Sequence, residues 1–95
     1  MADFRLQIVT TERVVYDDTV TSIVVPGGRG YLGVLAHHAP LLTTLGAGEL
    51  TIRKGQQTQL YRISGGFLEV NRNVATLLAD SLEPVVQEAA RPGAR

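Results

Sequence analysis

The sequence predicts an all-β domain, a sandwich or barrel built from short strands. Segments rich in Thr, Val and Ile alternate apolar and polar residues with a period of two, the repeat of a half-buried strand. Turn residues recur every ~8–12 positions, the spacing of sandwich and barrel folds. At 95 residues with 44% apolar content, the chain suits one domain with one core.

The elements follow in order. Phe4-Arg5-Leu6-Gln7-Ile8-Val9 places Phe4, Leu6 and Ile8 on one face, which predicts a half-buried strand. Val14-Val15-Tyr16 is a short β-favouring run, and Asp17-Asp18 has turn chemistry because Asp side chains bond to nearby backbone. Thr19 to Val25 predicts a strand that Pro26 to Gly30 ends. Tyr31 to Leu35 and Pro40 to Leu45 are further extended pieces, with a turn at Gly46-Ala47-Gly48. Leu50-Thr51-Ile52-Arg53 alternates, Gly55-Gln56 turns, and Thr58 to Ser64 returns with Leu60 or Tyr61 and Ile63 inward. Gly65-Gly66 breaks or bends the ladder, as a bulge would. Phe67 to Val70, a turn at Asn71-Arg72-Asn73, and Val74 to Ala79 predict a last hairpin. Pro84 to Arg91 suits a helix of about two turns, begun by Pro84 and stopped by Pro92-Gly93.

Composition excludes several classes of function. Nine basic and nine acidic residues cancel, and only Arg53-Lys54 stand together, so a nucleic-acid surface is not expected. With no cysteine, disulfides and thiolate metal sites are absent, which is compatible with a reducing compartment. No apolar run approaches the ~20 residues that span a bilayer. The N-terminal residues show no basic and apolar regions of an export signal, so none is expected. An uncharged module of this kind suits partner binding better than chemistry.

The chain is organised around Pro26 to Leu42, a glycine-dense corner running into the apolar pair Leu41-Leu42. Gly28-x-Gly30-x-x-Gly33 spells a dinucleotide fingerprint, but that motif needs its third glycine to open a helix, and Pro40 arrives too soon. Tight-turn geometry explains it better. His37-His38 would point to opposite faces of a strand and could not share one metal ion. Ser64 lacks the strand-to-helix elbow of a nucleophile. Glu69, Asp80, Arg53 and Lys54 read as solvated charges. Leu41-Leu42 is either core or a docking edge.

Taken together, five segments resemble a known family in order and spacing: Val24-Val25-Pro26-Gly27, Gly30-x-Leu32-Gly33-Val34-Leu35, His38-Ala39-Pro40-Leu41-Leu42, Ser64-Gly65-Gly66-Phe67-Leu68-Glu69-Val70 and Leu78-Ala79-Asp80. The family is the epsilon subunit of F-type ATP synthase, whose mitochondrial counterpart is called delta. The resemblance covers roughly residues 4 to 82. It implies a flattened sandwich of about ten strands in two sheets over residues 1–82, with a short helical or disordered stub over 83–95. It also implies a non-catalytic rotor subunit with no cofactor, no metal and no nucleotide site. Such a subunit would join the gamma subunit to the polar loops of the c-ring, peripheral on the cytoplasmic face of a bacterial plasma membrane and without membrane insertion.

On that basis Arg29, Gly30, Tyr31 and Leu32 are the expected ring contact. His38, Ala39, Pro40, Leu41, Leu42 and Thr43 are the expected gamma contact. Two departures stand out. Many members carry an acid where this chain has Tyr31, and Pro-Gly where it has Ala36-His37. Typical bacterial members also continue into an α-helical hairpin that can inhibit ATP hydrolysis. This sequence has room only for a stub before Arg95, so inhibition by that route, and the ATP site some hairpins carry, are not expected. Two other classes of function compete: an unrelated β-sandwich adaptor docking through Leu41-Leu42, and a small nucleotide-binding enzyme using Gly28, Gly30 and Gly33.

Overall fold

The computed structural model describes residues 2–85. Ten strands run in chain order: β1 (Phe4–Val9), β2 (Val14–Val20), β3 (Ser22–Gly27), β4 (Gly30–Leu35), β5 (Leu41–Leu45), β6 (Gly48–Lys54), β7 (Gln57–Ile63), β8 (Gly66–Asn71), β9 (Val74–Ala79) and β10 (Leu82–Pro84). Hydrogen bonding follows the order β10-β7-β6-β3-β5-β8-β9-β1-β2, with β4 beside β3. The link between β3 and β5 is a single pair, Gly27 with Leu45. The sheet is therefore two five-stranded leaves hinged at one point. One leaf is β4-β3-β6-β7-β10 and the other β5-β8-β9-β1-β2, which is the expected sandwich with its two sheets joined at a corner. All ladders are antiparallel except β1 with β9.

The chain crosses between leaves after nearly every hairpin, and its irregular residues sit at those crossings. Thr21 breaks the expected Thr19–Val25 strand because the chain changes leaf there. Asp17-Asp18 makes no turn and lies within β2 instead, where both carboxylates find cationic partners. Arg5 grips Asp17 through two hydrogen bonds of 2.9 and 2.8 Å. Asp18 pairs with Lys54 of the opposite leaf. Gly65-Gly66 is likewise a crossing, not a bulge. Its left-handed φ values of 140° and 149° suit glycine, and a Cβ on Gly66 would lie 1.9 Å from the Leu78 carbonyl oxygen.

Between the leaves lies an entirely apolar core. Phe4, Leu6, Ile8, Leu68 and Leu77 from one leaf meet Ile23, Val25, Val34, Leu50, Ile52 and Ile63 from the other, all buried. Each such side chain contributes about 1.5–3 kcal/mol relative to exposure. Tyr16 and Tyr61 close one edge of the core in an edge-to-face pair with centroids 6.5 Å apart. Of the alternatives for β7, Tyr61 and Ile63 face inward and Leu60 outward. Pro84, the expected first residue of a helix, ends β10 instead, because Leu82–Pro84 pairs with Tyr61–Ile63. Val85 continues that pairing, its N–H donating to the Leu60 carbonyl at 2.9 Å, and residues 86–91 of the expected helix lie outside the described residues.

Candidate functional site: two surfaces on one sandwich

The glycine corner is the tight connection from β3 to β4. Gly27, Gly28, Arg29, Gly30, Tyr31 and Leu32 line an open hollow of about 580 Å³, closed on its far side by Thr43 and Thr44 of β5. Tyr31 is 61% exposed, yet its hydroxyl is engaged, accepting a hydrogen bond from the Glu49 N–H at 3.1 Å. The ring reaches that donor by lying across Gly48, where a Cβ would stand 2.6 Å from the hydroxyl. Gly48 is needed for that close approach. Gly33 lies inside β4 and opens no helix, so the fingerprint-like spacing is a turn followed by a strand.

The second surface is the outer face of the β5-β8-β9-β1 leaf. Leu42 (72% exposed), Phe67 (50%) and Leu78 (49%) all point to solvent. Register explains their grouping. Phe67 pairs with Thr44 on one side and Leu78 on the other, and Leu78 pairs with Val9. Leu42 stands one pleat along, opposite Glu69. The result is an apolar stripe across four strands, with a shallow hollow of about 200 Å³ beside Phe67 and Leu78.

The expected gamma contact is divided by this geometry. Leu42 joins the stripe, whereas Leu41 turns inward against the core, and Thr43 faces the corner hollow. Leu41-Leu42 is thus half core and half exposed surface. Ala39 and Pro40 are exposed in the crossing before β5. His37 and His38 occupy that turn instead of a strand. The His38 Nδ1 lies 2.8 Å from the Ala39 carbonyl oxygen. His37 holds a left-handed φ of 62°, and its N–H donates to Asn73 Oδ1 at 2.7 Å. Phe67, Leu78 and Val9 were missed as surface residues, although a signal existed. Phe67-Leu68 and Leu77-Leu78 are consecutive apolar pairs within strands, and one member of such a pair must face out.

The family model described as ATP synthase, Delta/Epsilon chain, beta-sandwich domain matches residues 3–85. The chain belongs to that family. An ATP synthase epsilon chain of Roseiflexus sp. is 52% identical over 79 residues, covering 83% of this chain and 57% of its own length. One from Dehalococcoides mccartyi is 47% identical over 83 residues, covering 87% and 59%. One from Leptospira borgpetersenii is 43% identical over 76 residues, covering 80% and 60%. The chain thus spans less than two thirds of the length of these epsilon chains. Among solved structures, a chain in the Euglena gracilis mitochondrial ATP synthase (OSCP/F1/c-ring) is similar with a TM-score of 0.84 at 25% identity. That match covers 95% of this chain and 59% of the other.

Within the delta/epsilon β-sandwich family, the two departures acquire structural content. Tyr31 replaces an expected acid with a ring tied to β6 through its hydroxyl. His37, where the resemblance implies a glycine, adopts the left-handed conformation itself, held by Asn73.

Proposed function

We propose that this domain is a non-catalytic piece of the central stalk, gripping the gamma subunit with one surface and the polar loops of the c-ring with the other. Membership of the delta/epsilon family supports the setting, and the observation that carries the reading is the apolar stripe of Leu42, Phe67 and Leu78. Large apolar groups clustered on the outer face of a well-packed leaf mark a surface for a partner to cover. The corner around Arg29 to Leu32 is a hollow of mixed polar and apolar lining at the end of the other leaf, closed by Thr43 and Thr44, which suits short polar loops. The two surfaces are held in fixed relation by a close-packed core, which transmits strain better than any loop. Torque applied at one surface therefore reaches the other, and ion flow through the ring stays coupled to ATP synthesis. The domain would sit peripherally on the cytoplasmic face of the membrane.

The test is a titration of the cognate gamma subunit with this chain and its Phe67→Asp variant. Binding in the micromolar range or tighter is expected, with at least a tenfold loss in the variant, since an interface anchor is worth about 2 kcal/mol or more. Equal affinity of the two proteins, or no binding at all, would overturn the reading.

A further inference from the structure

We infer that the gamma surface which covers the apolar stripe brings a lysine or arginine to Glu69, and that this pairing fixes the register of the two proteins. The inference rests on the stalk reading and names the chemistry of the partner at that same surface. Strand register puts Glu69 among the stripe residues. It lies within β8, opposite Leu42 of β5 on one side and Thr76 of β9 on the other. Directly opposed residues hold their Cβ atoms about 5 Å apart. Phe67, two positions back on the same strand, projects from the same face about 7 Å away. Glu69 therefore stands between Leu42 and Phe67 and is exposed as they are. A partner that covers both of those side chains covers the carboxylate as well.

Nothing on this domain balances that charge. The ion pairs among the described residues are Arg5 with Asp17 and Lys54 with Asp18, and neither includes Glu69. Arg5 projects from the same face of the leaf, but it already holds Asp17 through two hydrogen bonds. The neighbours of Glu69 across the strands, a leucine and a threonine, carry no positive charge.

In the free domain this isolation is harmless, because a surface carboxylate stays solvated. Under a partner it is not. A carboxylate taken out of water without a counter-charge opposes association strongly. The complementary surface therefore sets apolar groups on Leu42, Phe67 and Leu78 and a basic head group one pleat away from Phe67. The charge also supplies what the stripe lacks. Apolar attraction has no direction, so a partner held by the stripe alone slides along it, whereas a carboxylate and a cation meet in one register.

Binding kinetics of the cognate gamma subunit with the 95-residue chain and its variants test it. Glu69→Gln keeps the shape, removes the charge and should weaken gamma about 10-fold or more, as loss of one partner of a covered charge pair does. Glu69→Lys sets like charges together and should weaken it about 100-fold or more. Both losses should lie in the dissociation rate. Reversing the basic residues of gamma one at a time should yield a variant that binds Glu69→Lys more tightly than it binds the unaltered chain. Equal affinity of Glu69→Gln and the unaltered chain overturns the inference. So does a loss confined to the association rate, the mark of a charge at the rim, or the failure of every gamma reversal to rescue Glu69→Lys. Phe67→Asp keeps this test apart from the stalk reading. If that variant weakens gamma while Glu69→Gln does not, only the present inference falls; if gamma ignores the unaltered chain, both fall.

Discussion

Single residues at the crossings do work out of proportion to their size. Asn73 sits second in the two-residue turn between β8 and β9, where it and Arg72 hold φ values of 63° and 54°. Its amide also accepts from His37 N at 2.7 Å and donates to the Asp3 carbonyl at 2.9 Å. Asn73→Gly keeps the turn but removes both bonds. It should therefore cost about 1–2 kcal/mol in urea unfolding, where a turn-only role predicts no loss. His37→Gly should be neutral or stabilising by up to about 1 kcal/mol, because glycine accepts the left-handed conformation that histidine resists. Asp17 and Asp18 give a pH signature. Hydrogen bonds from Arg5 and Lys54, respectively, hold their carboxyls below the ordinary range as the leading cause. Folded carboxylates of this kind take up protons less readily than unfolded ones, so their contribution is complete above about pH 5 and fades as pH falls through the folded values. The double variant Asp17→Asn, Asp18→Asn should flatten the acid limb of a stability profile. The difference should shrink at ~0.5 M salt, since both pairs are exposed.

Among the elements, β8 and β9 depend on how the chain enters them. Gly66 starts β8 against the backbone of β9, and its neighbours there are main-chain atoms that cannot swing aside. Gly66→Ala should cost about 3 kcal/mol or more, by strain and lost pairing together. A loss below about 1 kcal/mol in a denaturant titration would show that the crossing can relax. The same strands carry opposite parities on adjacent residues. Phe67→Asp should leave the isolated domain folded, whereas Leu68→Asp, one residue along and fully buried, should unfold it by leaving a charge without a partner. Circular dichroism of the two variants separates these outcomes.

For the molecule as a whole, stiffness comes from the apolar core that the two leaves share, hinged at Gly27 and Leu45. Leu50 is fully buried, and Leu50→Ala should cost about 2–5 kcal/mol by leaving a cavity. That is a large share of the roughly 5–14 kcal/mol available to a domain of this length. Leu42→Asp is the counterpart at the surface. It should change stability by about 0.5 kcal/mol or less while weakening the binding of gamma proposed above. If Leu42→Asp unfolds the domain, the stripe is core and that assignment fails.

The all-β class, the alternation of β1 and β6, and the β8–β9 hairpin were legible because period-two alternation and turn residues are local signals. Asp17-Asp18 misled because turn chemistry is also local, and the partners that keep both in a strand come from β1 and β6. Gly65-Gly66 was recognised as special but not as a crossing between leaves. The corner residues were found from their glycines, but not the company that Thr43 and Thr44 keep with them. By itself, then, the sequence determined the class of fold, its strand-and-turn rhythm and its family. Only the tertiary structure decided which apolar residues face solvent together and which charge stands among them, because those properties depend on register and leaf packing between segments far apart in the chain.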